Sequence, residues 1–395
     1  MKYVLVTLLL VTQIAICKGG DDGSIAKDFK GFTTYTIDLK TEIDYVSILD
    51  YIDTSFCEAI VLESKDDFWI GEIQNIAYRG DTIIIVDSQA KSIFLFDKNG
   101  KAVSKIHRVG RARGEYADIR ASYISDNKVY IYDSHQSRVV CYDFCGNLVS
   151  AFDCQNVYSM AEYRDTIFVD KWWVGARTQG NFVDLLASDG SLIKNEIHKE
   201  ISGSELPFIH SRTFKYLIAY PGNLSYWVDY DDMVFKYKKG TFVPSYKLEY
   251  ANKIKVPRSE INKGATQYLS NSKYANGYVW HTNSILETTN YIFVHFDVMS
   301  KSNPESFWFI VDKTTGKTLL TKKLSDGDLF GFSGIQDGDY FITYLNGSSV
   351  QFVRRVCKDA DAKARYVHLT TTEFLKLTEG IVETDNGILV RKKVK

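Results

Sequence analysis

Asp81-Thr-Ile-Ile-Ile-Val-Asp-Ser-Gln-Ala-Lys-Ser-Ile-Phe-Leu-Phe-Asp-Lys-Asn-Gly100 lies without a gap on Asn127-Lys-Val-Tyr-Ile-Tyr-Asp-Ser-His-Gln-Ser-Arg-Val-Val-Cys-Tyr-Asp-Phe-Cys-Gly146, at an offset of 46 residues. Asp87 meets Asp133, Ser88 meets Ser134, Asp97 meets Asp143 and Gly100 meets Gly146, so the matches gather where turns belong. A worn third copy follows, with Asp165 to Asp170 as one strand and Leu185 to Gly190 as the next. Self-similarity at this period predicts a propeller or another array of repeats.

The strand chemistry narrows that choice. Ile83 to Val86 and Ile93 to Phe96 are continuous apolar runs rather than alternating ones, so both faces of their sheet are covered. Only Asp87 to Ser92 separates them, too little chain for a parallel crossover, so they form an antiparallel hairpin. Antiparallel sheets covered on both faces are blades packed side by side, and the expected fold is an all-β, six-bladed propeller with four-stranded antiparallel blades. Tyr226 to Phe242 supplies a fourth blade. Asn290 to Phe296 with Ser306 to Asp312 supplies a fifth. Tyr340 to Leu345, an Asn346-Gly347 turn and Val350 to Val353 supply a sixth. Ala251 to Asn276 reads as an inserted loop with one helical turn, and Thr370 to Leu377 as a short helix ending near Gly380. Ring closure falls to Ala59 to Glu63 or to Ile388 to Arg391, with the N-terminal segment preferred.

Composition and the N-terminus set the compartment. The 395 residues are 45% hydrophobic and 14% aromatic with only 5 prolines, which suits a large packed core. Lys and Arg number 48 against 49 for Asp and Glu, with no long single-sign run in the mature part, so nucleic acid is not an expected partner. Lys2 followed by the apolar run Tyr3 to Ile16 reads as a secretory signal over residues 1–17, ahead of a flexible tether, 18–30, and a single propeller domain, 31–395. Ile14-Ala15-Ile16-Cys17 resembles a lipobox, which makes Cys17 the lipidated residue. Ile16 stands where a small residue is usual, and ordinary cleavage after Cys17 is the competing route. Lys18 to Asp22 resembles the Lys-then-acidic signal that sends some lipoproteins of gut anaerobes to the outer face of the outer membrane. The expected location is the cell envelope, with membrane contact through the lipid anchor alone. Cys57, Cys141, Cys145, Cys154 and Cys357 then remain, and they lack the spacing of a zinc site. One bridge among Cys141, Cys145 and Cys154 stays open.

Gly71-Glu-Ile-Gln-Asn-Ile76, the Asp87 and Asp97-Lys-Asn-Gly100 turns and Gly110-Arg-Ala-Arg-Gly-Glu-Tyr116 resemble the six-bladed propeller lipoproteins of gut anaerobes, relatives of NHL-type propellers. Ala112 and Arg113 stand where that family carries Gly and Pro in its interblade segment. The resemblance is strongest over residues 56–155, with Glu383 to Val390 similar to the family's terminal strand. It implies export and a binding or scaffold role.

Propeller ligands sit at one mouth of the channel, near the innermost strands. Spacing puts Arg120, His210, Arg212, Trp280 and His281 there, and Trp172-Trp173 adds aromatic faces for sugar rings or peptide side chains. Core burial is the competing fate for tryptophans in a chain this rich in Tyr and Phe. The basic segment Lys105 to Glu115 offers arginine forks for an anion, against its reading as a solvated connector. No nucleophile elbow, zinc-binding His-Glu-x-x-His or phosphate loop is present, so no catalytic residue is identified, and no cofactor or metal is expected. A surface binding module for a glycan or peptide leads. A channel-mouth lyase or hydrolase, or a scaffold subunit of an envelope complex, are the alternatives.

Overall fold

The structure, a computed structural model, describes residues 31–171, 180–199, 217–228, 232–257, 272–300, 303–322, 324–325, 335–357 and 371–395. Six sheets of four or five strands form the blades of a six-bladed β-propeller. From the axis outward, the first blade is Ile73–Arg79, Thr82–Asp87, Ser92–Asp97 and Ala102–Ile106. The second is Ala121–Ile124, Lys128–Asp133, Arg138–Asp143 and Leu148–Asp153. Val157–Tyr163, Thr166–Lys171, Gly180–Leu186 and Leu192–Lys199 make the third. The fourth begins with Leu217–Tyr220 and ends with Thr241–Tyr250, and the fifth begins with Val279–Glu287 and ends with Thr318–Thr321.

Alternating side chains explain why the runs are apolar without a break. Successive residues of a strand face opposite sides. Ile84, Val86 and Leu95 pack against Val129, Ile131 and Val140 of the second blade. Their neighbours Ile83, Ile85, Phe94 and Phe96 pack against Ile342 and Leu389 of the sixth. Both faces are core, so neither tolerates a polar residue.

The repeated aspartates lock the turns. Asp87 accepts hydrogen bonds from the amides of Gly71 and Ala90, each at 2.6 Å. Asp133 repeats this with Ala117 at 2.6 Å and His135 at 2.8 Å. Each carboxylate thereby ties its hairpin turn to the chain leading into the same blade. Asp170, the third copy, differs: the Tyr226 hydroxyl of the fourth blade donates to its Oδ1 at 3.0 Å, and its Oδ2 is buried without a partner among the described residues. Burial pushes its pKa up from 3.8 to about 8, against the opposing hydrogen bonds of Tyr226 and Ser159.

One expectation needs correction. Val350 to Val353 is not a strand but part of a helix, α1, Gly347–Cys357, set between the second and third strands of the sixth blade. Asn346 caps it, accepting from the Ser349 amide at 2.8 Å, and Val350, Val353 and Cys357 face inward at helical spacing. Gly347 is required because a Cβ there would lie 2.1 Å from the Val382 carbonyl oxygen. A second helix, α2, Thr371–Leu377, packs Phe374 into the same cluster and agrees with the short helix expected there.

The expected six-bladed propeller of antiparallel blades is present, and two blades gain a fifth strand at the outer edge. Thr33–Ile37 adds to the outer edge of the fourth blade in parallel, and Glu42–Ile43 does so on the fifth. Ile52–Val61 then becomes the outermost strand of the sixth blade, paired with Ile388–Val394, which pairs with Tyr340–Leu345. Both candidate closing segments therefore enter one blade, and they pair with each other. Arg391 fastens this closure: its guanidinium lies 3.8 Å from the Tyr340 ring centroid and 4.3 Å from that of Tyr78 in the first blade. Glu58 of the N-terminal strand lies 3.4 Å from it.

At one end of the channel, hydrogen bonds link every adjacent pair of blades. Arg79 of the first blade donates to the carbonyls of Ile124 and Ser125 in the second, at 2.9 and 3.0 Å. Tyr123 donates to the Glu162 carbonyl at 3.2 Å, joining the second blade to the third. Tyr163 reaches the Gly222 carbonyl at 2.8 Å, and Tyr220 reaches Glu287 at 2.9 Å, carrying the circuit to the fifth. Thr289 donates through its hydroxyl to Asp339 of the sixth at 2.7 Å. Asp337 closes the circle by accepting from Arg79 at 2.8 Å and from the Tyr78 amide at 3.0 Å. Glu287 carries the heaviest load. Burial alone would raise its pKa, but the ammonium groups of Lys236 and Lys313, at 3.0 and 3.1 Å, outweigh that and hold it below the ordinary value.

Two outcomes follow for stability. The folded protein binds the Asp170 proton more tightly than the unfolded chain, so this contribution is complete below the unfolded pKa of 3.8 and is lost as pH rises toward about 8. Asp170→Asn, which cannot ionise, should flatten that decline and raise the melting temperature above pH 8; an unchanged slope in pH-resolved thermal melts would contradict it. Glu287→Ala leaves two half-buried ammonium groups without their anion and should cost about 3–5 kcal/mol in urea unfolding. A loss under about 1 kcal/mol, the range of a surface pair, would mean the cluster is not structural.

Candidate functional site

The inner strands of all six blades enclose a channel of about 830 Å³. That volume suits a ligand of small-molecule or oligomer-fragment size. The hydrogen-bonded ring lies where the inner strands end. Arg120, which leads into Ala121–Ile124, lies at the opposite end, roughly 16 Å away at the rise of an extended strand.

Several polar groups gather around Arg120. Gln74 donates through Nε2 to the Ile119 carbonyl at 3.2 Å, and Asn75 donates through Nδ2 to the Ser122 carbonyl at 3.3 Å. Both bonds draw the first inner strand against the second beside the arginine. The guanidinium lies 5.8 Å from the ring centroid of Tyr158 in the third blade. No carboxylate among the described residues lies within ion-pair distance of Arg120. The nearby acids hold serines instead: Ser88 donates to Glu72 at 3.2 Å and Ser134 to Asp118 at 3.3 Å. Gln74 Oε1 and Ser122 Oγ, both on channel-lining side chains, are buried without a hydrogen-bond partner.

The wall between the first and sixth blades is similar. Tyr78 and Tyr344 are channel-lining residues whose hydroxyls are buried without a partner, and burial is the main cause that raises the pKa of each. Both are therefore neutral at ordinary pH. Among the described lining residues there is neither histidine nor cysteine, and no group of three His, Cys, Asp or Glu residues able to hold a metal occurs among the described residues. The five cysteines Cys57, Cys141, Cys145, Cys154 and Cys357 are free.

The residues singled out from sequence fare unequally. Arg120 is among the residues that line the channel. Trp280 is not: it is 4% exposed, packs with Val256 and Tyr274, and donates through Nε1 to the Tyr274 carbonyl at 2.8 Å. Its aromatic bulk went to the core beside the inserted loop, the competing fate. His281 lies on Val279–Glu287, with its side chain outside the described set, and Trp172, Trp173, His210, Arg212 and Cys17 lie outside the described residues. Tyr158, Gln74 and Ser122 were missed. Gln74 had a usable signal, since it stands 46 residues before Arg120, the offset of the repeat.

The basic segment Lys105 to Glu115 is an ordered connector. Gly110 and Tyr116 are bonded through the Gly110 amide at 3.1 Å, and Glu115 accepts from the Ala112 amide at 2.9 Å. The Glu115 carboxylate lies so close over Gly110 that a Cβ there would be 1.9 Å from Oε2. Arg108, Arg111 and Arg113 point to solvent.

Comparison with known proteins agrees with the fold. A solved protein from Bacteroides fragilis NCTC 9343, described as exported, is similar over 92% of this chain and 100% of its own, with 19% identity and a TM-score of 0.66. A member of the DUF4221 family from Bacteroides vulgatus ATCC 8482 covers 86% of this chain and 96% of its own at 11% identity, with a TM-score of 0.48. At 19% identity the likeness to the Bacteroides fragilis protein shows architecture alone. No curated protein matches the chain. No helix among the described residues is long and apolar enough to cross a membrane. The profile of a domain of unknown function, DUF4934, spans residues 34–393, and with nearly the whole chain matched this protein belongs to the DUF4934 family.

Proposed function

We propose that the protein is an exported binding module, anchored at the cell envelope through a lipid on Cys17, that takes a glycan or peptide into its central channel at the Arg120 end. The observation that carries this reading is the channel itself: about 830 Å³, with unpaired polar groups and an aromatic ring near Arg120. The other end is drawn together by hydrogen bonds between blades, which favours access from the Arg120 side. Two acids in that ring, Asp337 and Glu287, are already committed to Arg79 and to paired lysines, which favours a structural role for them over acid–base work. A binding surface of this type needs groups poised for a ligand rather than for each other.

Export and anchoring rest on the leader and on the lipobox-like Ile14 to Cys17. The described exported character of the Bacteroides fragilis protein is consistent with the same compartment.

Glycan and peptide arrays probed with the mature protein should return a ligand class. Ser122→Trp, which fills the channel beside Arg120, should abolish that binding while the melting temperature stays within a few degrees; undiminished binding would place the site elsewhere. In cells fed a labelled fatty acid, the full chain should take up label and Cys17→Ser should not. Equal labelling of both, or of neither, would remove the anchor from the account.

A further inference from the structure

The charge at the channel mouth specifies more than a generic ligand. Arg120 is half-buried in a concave wall, and among the described residues its guanidinium meets the face of Tyr158 but no carboxylate within ion-pair distance. Several other cations of the described residues do have a carboxylate. Arg79 has Asp337, Arg391 has Glu58, Lys128 has Glu162, and Lys236 and Lys313 share Glu287. An unpaired cation in such a wall costs free energy, because partial burial removes water without supplying an anion. That cost is recovered when a ligand brings the missing negative charge.

The groups beside it indicate what else the ligand carries. A bare anion needs donors alone, but Gln74 Oε1 is an unsatisfied acceptor held next to Arg120, because its own amide nitrogen is bonded to the Ile119 carbonyl. Ser122 Oγ, also unsatisfied, can donate or accept. Further along the wall, the Tyr78 and Tyr344 hydroxyls are buried without a partner as well. An acceptor, two-way hydroxyls and a cation within one channel match a molecule that has both hydroxyl donors and a carboxylate. The ring of Tyr158 offers an apolar face to the C–H side of a sugar ring.

We infer that the channel recognises an acidic sugar, a uronate unit of a glycan, with its carboxylate on the Arg120 guanidinium and its hydroxyls on Gln74 and Ser122. The inference rests on the channel-binding reading above and sharpens it. A planar carboxylate accepts two parallel N–H bonds from a guanidinium, which a lysine cannot reproduce.

Calorimetric titration of the mature protein tests it, with oligogalacturonate and oligoglucuronate as probes, and with methyl-esterified oligogalacturonate as a control of equal shape without the charge. The acid forms should bind, and the ester at least tenfold more weakly, with the difference shrinking as salt rises. Arg120→Gln should remove the preference for acid over ester, and Arg120→Lys should restore it only in part, with circular dichroism and melting temperature reporting that both variants are folded. Equal affinity for acid and ester, or an acid preference that survives Arg120→Gln, would overturn the assignment. If neither uronate binds while a neutral glycan or peptide does, and Ser122→Trp blocks it, the acidic-sugar inference fails and the channel reading stands. If nothing binds in a way that Ser122→Trp abolishes, both fail.

Discussion

Every blade leans on its neighbours through one circuit of hydrogen bonds at the inner strand ends, from Arg79 round to Asp337 and back. The apolar seams supply most of the favourable free energy, but they are non-directional and do not by themselves set how the inner strands meet at the axis. The circuit does, because each of its bonds fixes a donor in one blade against an acceptor in the next. It holds the inner strands close at the end of the channel opposite Arg120. The position of a site is in this sense a by-product of where the fold spends its polar groups.

The closure uses the same logic at the rim. A ring of blades is only as strong as its last joint, and here the N-terminal chain joins the edges of two blades before it pairs with the C-terminal strand in a third. Arg391 then clamps both termini to the first blade through Glu58, Tyr340 and Tyr78. The parallel additions at Thr33–Ile37 and Glu42–Ile43 also cover two outer edges that would otherwise be open to another strand.

Much of this was legible in the sequence, and the failures have physical causes. The 46-residue repeat and the continuous apolar runs led to doubly covered hairpins because blade packing writes itself into every strand residue from Ile83 to Phe96. Val350 to Val353 misled because a short apolar stretch fits either period; Asn346 as a cap and Cys357 at the next helical position were the deciding residues. The two-residue strand Glu42–Ile43 has no pattern to read. Arg120 could be placed beside the channel from its position relative to the repeat. Trp280 was misplaced because a large aromatic serves core and ligand equally well. The circuit itself was invisible, since Arg79 and Asp337 are far apart in the chain and only closure of the ring brings them together.

Hydrogen–deuterium exchange read residue by residue addresses the circuit directly. If it organises the propeller, the Tyr78 amide, held by Asp337, should exchange only on global unfolding, as slowly as the amides buried within the blades. The amides of the connections near Arg120 should open locally and sooner. Rapid exchange at Tyr78, with slower exchange around Arg120, would show that the bonded end is not the fixed end, and the placement of the site would fall with it.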